Sequence, residues 1–97
     1  MPTLEERVQA GAEYLDEIRP GWEEEVNTDH LQLNNCLDCV LGQLFGDFDE
    51  ALAELDITEG DAKSMGFLLS EFRNFEEEDY PELTDIWRDL IKKRRNK

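Results

Sequence analysis

With 97 residues, 39% of them hydrophobic, the chain is too short for two cores and too apolar for an acidic disordered tail. Its 25 acidic and 10 basic residues give a net charge of −15, which argues against nucleic acid or an anionic membrane as a direct ligand of its body. No apolar run approaches the roughly 20 residues of a membrane span, and Met1 to Glu6 has neither the basic start nor the apolar stretch of an export signal. Two cysteines in such a chain suit a reducing cytoplasm.

The charge is unevenly placed. Residues 1–83 hold 23 Asp/Glu against 4 Lys/Arg, a net of −19; residues 84–97 hold 2 against 6, a net of +4. The expected organisation is one all-α domain over residues 1–97, with four or five helices around a central one and a short basic C-terminal tail. Phe45, Phe48, Phe67, Phe72, Trp22 and Trp87 are bulky anchors that a disordered tail would lack.

In chain order, Thr3-Leu4-Glu5-Glu6 fits a capping box, in which Thr3 and Glu6 satisfy each other's backbone donors. Leu4, Val8, Ala12, Leu15 and Ile18 follow at helical spacing, and Arg19-Pro20-Gly21 ends the run. Trp22-Glu23-Glu24-Glu25-Val26 reads as one helical turn with Trp22 and Val26 on one side and the glutamates in water. Asn27-Thr28-Asp29 reads as a loop or cap.

Leu33, Leu37, Val40, Leu41, Leu44, Phe48, Leu52 and Leu55 recur every three or four residues and predict a central helix over 34–55, continuous or kinked, capped by Asn34 or Asn35. Gly42 and Gly46 lie within it, four apart. They admit two readings: close backbone approach by another helix, or a break near Gly46. Leu37, Val40, Leu41, Leu44 and Phe48 are expected to be buried on one face. Thr58-Glu59-Gly60-Asp61 looks like another helix start, with Gly66 as a stop. Phe67-Leu68-Leu69 is a short apolar run, either strand or buried turn. Glu76-Glu77-Glu78-Asp79 is a solvated charge run. The last helix starts at Thr84 or at Pro81, with Ile86, Trp87, Leu90 and Ile91 as its stripe and Lys92-Lys93-Arg94-Arg95 suiting the negative end of its dipole.

Chemistry is sparsely encoded. Cys36-Leu37-Asp38-Cys39 is a Cys-x-x-Cys, but Asp38 and an acidic body oppose the thiolate that redox chemistry requires. His30, Cys36 and Cys39 supply three ligands where a structural zinc needs four, so neither metal nor cofactor is expected. With a single histidine, no catalytic triad or other enzyme signature stands out. The basic tail is short and carries no aromatics, which argues against nucleic-acid binding through it.

The block Cys39-Val40-Leu41-Gly42-Gln43-Leu44-Phe45-Gly46-Asp47-Phe48 resembles one found in small acidic proteins of actinobacterial phages and prophages. Pro20-Gly21-Trp22, Gly66-Phe67, Tyr80, Leu83-Thr84-Asp85-Ile86-Trp87, Ile91 and Arg94-Arg95 are similar to the same group. The resemblance spans about residues 20–95; the first helix and Cys36 lie outside it. It implies a phage-type accessory protein made in a bacterial cytoplasm. It assigns no catalytic or binding residue, because no activity is established for the group.

The residues themselves therefore point to a non-enzymatic binding protein. Its acidic surface would engage a basic host protein, in the manner of a DNA mimic. The candidate partner-binding residues are Glu23, Glu24, Glu25, Glu76, Glu77, Glu78 and Asp79, with Trp22 as an apolar contact. The alternatives are a metal- or thiol-dependent protein built on His30, Cys36 and Cys39, and a small structural homodimer.

Overall fold

The computed structural model describes residues 2–70 and 75–96. Those residues form six helices and no strand: α1 (Leu4–Ile18), α2 (Trp22–Glu25), α3 (Val40–Phe45), α4 (Phe48–Leu55), α5 (Glu59–Ser64) and α6 (Tyr80–Arg95). The fold is all-α. No helix among them is long and apolar enough to cross a membrane.

The helix starts follow local chemistry. The Thr3 side chain accepts from the Glu6 N–H at 3.1 Å, and the Glu6 carboxylate accepts from the Thr3 N–H at 3.2 Å. Thr58 and Asp61 repeat this box at α5. Pro81 sits in the first turn of α6, where its missing N–H costs nothing, so the helix begins at Tyr80, a turn before Thr84.

The central segment departs from the expected single helix. Residues 34–39 form turns: Asn35 Oδ1 accepts from the N–H groups of Leu37 and Asp38, at 2.8 and 3.1 Å, and so caps a turn instead of a helix. The helix begins at Val40, with Cys39 as N-cap and its Sγ accepting from the Gly42 N–H at 3.2 Å. Gly46 ends it at φ +99°, a left-handed conformation that costs glycine little. Asp47 then caps α4 by accepting from the Asp49 N–H at 2.7 Å. This division accounts for six helices where four or five were expected. It also turns Leu37 outward, 60% exposed, while Val40, Leu41, Leu44 and Phe48 are buried as predicted.

α1 packs on α5 and α6, α2 on α6 and α3, and α3 on α4. Trp87 of α6 is fully buried at the centre. Its ring stacks on Phe67 at 5.3 Å and meets Trp22 edge-on at 5.8 Å, and its indole N–H donates to Gly66 O at 2.7 Å. Phe67 and Leu68 are buried in the irregular chain that follows α5. Phe72 lies outside the described residues.

Candidate interaction surface

Buried backbone must find hydrogen-bond partners, and the irregular segment 26–39 finds many of them in side chains. Gln43 donates to Asn27 O and Asp38 O and accepts from the Asn27 N–H. Thr84 Oγ1 accepts from the Leu33 N–H at 3.0 Å. Arg88 donates to Thr28 O at 3.1 Å and Leu31 O at 3.2 Å.

Arg88 belongs to a pattern. Arg7 donates to the carbonyls of Lys63, Leu68 and Leu69, and Arg95 to those of Glu23 and Val26. Arg19 forms a two-pronged pair with Glu25 at 2.9 Å, its guanidinium 5.1 Å from the Phe45 ring centre. Arg94 pairs with Asp16 at 2.6 Å and lies over the Trp22 ring. Guanidinium groups suit these roles because they remain charged and present several donors in a fixed fork. Three of the five described arginines thus hold backbone carbonyls. The basic tail divides accordingly: Arg94 and Arg95 face the body, while Lys92 and Lys93 are exposed.

The first acidic cluster sits on α2. Trp22, expected as an exposed contact, is fully buried and is withdrawn from the binding surface. Its indole N–H donates to Asp16 Oδ1 at 3.0 Å, and its ring fills the space beside Trp87. A four-residue helix has little stability of its own, and this buried indole provides the packing that positions it. Glu24 and Glu25 are turned outward as a result, and the Arg19 hydrogen bonds hold the Glu25 carboxyl below its ordinary pKa. Glu23 is half-buried, with Oε2 lacking a hydrogen-bond partner.

The second cluster precedes α6. Glu76, Glu78 and Asp79 are exposed; Glu77 is half-buried, its Oε2 also without a partner. Phe75, edge-on to the buried Tyr80 at 5.6 Å, ties this turn to the core. The clusters therefore lie at opposite ends of α6, because Arg95 holds α2 at one end and Asp79 begins the other. The sixteen residues of α6, at 1.5 Å each, make it about 24 Å long. The two acidic clusters are separate and do not form one patch.

Cys39 caps α3 through its Sγ. Cys39 is 3% exposed, and burial pushes its thiol from the ordinary 9.0 up to about 12. Cys36 is half-buried, and His30 is exposed on a loop. Among the described residues no group of three or more His, Cys, Asp or Glu is arranged to hold a metal. Two outcomes follow. Alkylation of the native protein at neutral pH should label Cys36 and spare Cys39; equal labelling would contradict the burial. The folded state also holds the Cys39 proton to higher pH than the unfolded chain does. That contribution to stability is complete below about pH 9 and is lost between about 9 and 12. Denaturant midpoints below and above pH 9 should show the fall, and Cys39→Ala should flatten it.

Comparison with protein-family models, with curated proteins and with solved structures finds no match.

Proposed function

We propose that this is a non-enzymatic accessory protein of the phage type, acting in a bacterial host cytoplasm. Its acidic exterior engages a host protein and masks a basic, nucleic-acid-binding surface. The observation that carries this reading is the inward use of the arginines. Arg7, Arg88 and Arg95 donate to uncharged backbone carbonyls, which sets their positive charge partly within the fold of a chain whose net charge, with them counted, is −15; Arg88 also pairs with Asp85. A magnitude of about 2–8 suffices for the solubility of a small domain. The excess creates a field that speeds encounter with basic surfaces and repels nucleic acid. α6, with one cluster near each end, is about 24 Å long, the span of about seven base-pair steps at 3.4 Å.

The test is affinity capture from a bacterial lysate with the wild type and with a Glu24→Lys, Glu78→Lys double variant. Both positions are exposed, whereas Glu23 and Glu77 each have a carboxylate oxygen within the fold. The variant should keep its helical circular dichroism. It should retain less partner than the wild type, and raising salt should weaken capture by the wild type, since ions screen exposed charge. Capture unchanged by both variant and salt would reduce the acidity to a solubility device.

A further inference from the structure

The chain's two cysteines, Cys36 and Cys39, lie outside both acidic clusters, on the turn that leads into α3. The Cys39 N–H donates to Asn35 O at 3.0 Å, a bond of helical span, so residues 36 and 39 are one turn apart. Helical rise and radius set Cα atoms at that spacing about 5 Å apart, inside the roughly 4.4–6.8 Å over which a disulfide joins two residues. The Cys39 side chain is turned back toward its neighbour: its thiol donates to Cys36 O at 3.8 Å and accepts from the Gly42 N–H at 3.2 Å. Only the reduced sulfur can make both bonds, because a disulfide has no S–H to donate. The Gly42 N–H is a first-turn donor without a backbone partner in its own helix, and Cys36 O also accepts from the Phe48 N–H at the start of α4. The thiol therefore sits where both helices are tied to the turn.

The geometry points to a thiol–disulfide switch, in which a peroxide closes a bond between Cys36 and Cys39 and so releases the cap of α3. Exposure divides the roles. Half-buried Cys36 meets the oxidant, and Cys39, 3% exposed, resolves it. The Cys36 thiolate attacks one peroxide oxygen and the O–O bond breaks. Cys36 becomes a sulfenic acid, and the leaving hydroxide takes up the thiol proton as water. Cys39 Sγ then attacks Cys36 Sγ; the S–O bond breaks, the S–S bond forms, and hydroxide leaves as water with the Cys39 proton. Two thiols thus give two electrons to one peroxide. Asp38 and the acidic body disfavour a thiolate and slow the reaction, whereas the single turn between the sulfurs makes its second step intramolecular. A thiol reductant reverses the bond, as suits a transient sensing disulfide in a reducing compartment. The switch does not rest on the reading of the acidic surface.

The test treats the full reduced chain with one equivalent of hydrogen peroxide. The mass of the monomer should fall by two hydrogens, and cleavage beside Asp38 should leave the two halves joined until a reductant is added. Exchange of the Gly42 amide, read by NMR, should quicken roughly two- to tenfold, the weight of one hydrogen bond, and return on reduction. In Cys39→Ser the oxidation should stop at a Cys36 sulfenic acid that dimedone traps, and Cys36→Ser should leave Cys39 a thiol. The wild-type readings stand without the variants, so a substitution that weakens the cap does not blunt the test. Cys36 carried to a sulfinic acid, or joined to a second chain, with Cys39 still a thiol would overturn the inference. So would a Cys36–Cys39 bond that leaves Gly42 exchange unchanged.

Discussion

Trp87→Ala is expected to cost about 3–5 kcal/mol of folding stability, the range for removing a buried aromatic. That is a large share of the roughly 5–15 kcal/mol that holds a whole domain together. The size follows from how many elements meet at this ring. It stacks on Phe67, meets Trp22 edge-on, and donates from its indole nitrogen to Gly66 O. Trp22 in turn holds α2 through its packing and its Asp16 hydrogen bond, so the loss should also loosen the turn that presents Glu24 and Glu25. Trp87→Phe keeps an aromatic ring but leaves Gly66 O without its donor, and should cost about 1–3 kcal/mol. Urea denaturation with an unchanged slope measures both. A loss for Trp87→Ala of no more than about 0.5 kcal/mol, the usual size of a surface effect, would contradict this account of the core.

Gly42→Ala is expected to destabilise by about 1–3 kcal/mol, the usual cost of overpacking. In an exposed helix interior the same change stabilises by about 1 kcal/mol, so the sign decides between the two environments. A Cβ on Gly42 would stand 2.2 Å from Cys36 O and 2.8 Å from Leu37 O. Both neighbours are backbone and cannot swing aside. The Cys36 carbonyl also accepts from the Phe48 N–H at 3.0 Å, so displacing it disturbs the start of α4. Equilibrium denaturation of Gly42→Ala reads the sign directly, and a gain in stability would contradict the close approach.

Legibility in the sequence followed the range of the interactions. The capping box at Thr3 and the helix start at Thr58 were readable because donor, acceptor and spacing lie within four residues. The stop at Pro20 was readable for the same reason, and of the apolar stripe read for α6 Trp87 and Ile91 are buried while Ile86 and Leu90 are half-buried. The central segment was read as one helix because its leucines keep helical spacing through turns as well as helices; Leu37 fits the period and is nevertheless exposed. The two glycines carried the correct signal, each for a different cause. Gly46 is the break, and Gly42 is the close approach, to a loop and not to another helix.

The candidate surface was readable as charge but not as geometry. The exposed Glu24, Glu25, Glu76, Glu78 and Asp79 sit where a charge run is expected, since burial of such a run without partners is costly. The inward arginines were not foreseen, because their bonds join residues 56 to 72 apart to backbone carbonyls, which no side-chain pattern reports. Trp22 was misplaced because its neighbours are glutamates, although its spacing of four from Val26 already marked a buried side.

The most direct measurement is competition by duplex DNA. Immobilised wild-type chain is loaded with its captured partner at about 0.1 M salt, where the Debye length is near 10 Å, and washed with increasing duplex DNA or an uncharged polymer. If the acidic exterior occupies a nucleic-acid-binding surface, DNA should release the partner in proportion to its concentration and the polymer should not. Retention of the partner through a large excess of DNA would contradict the proposed function.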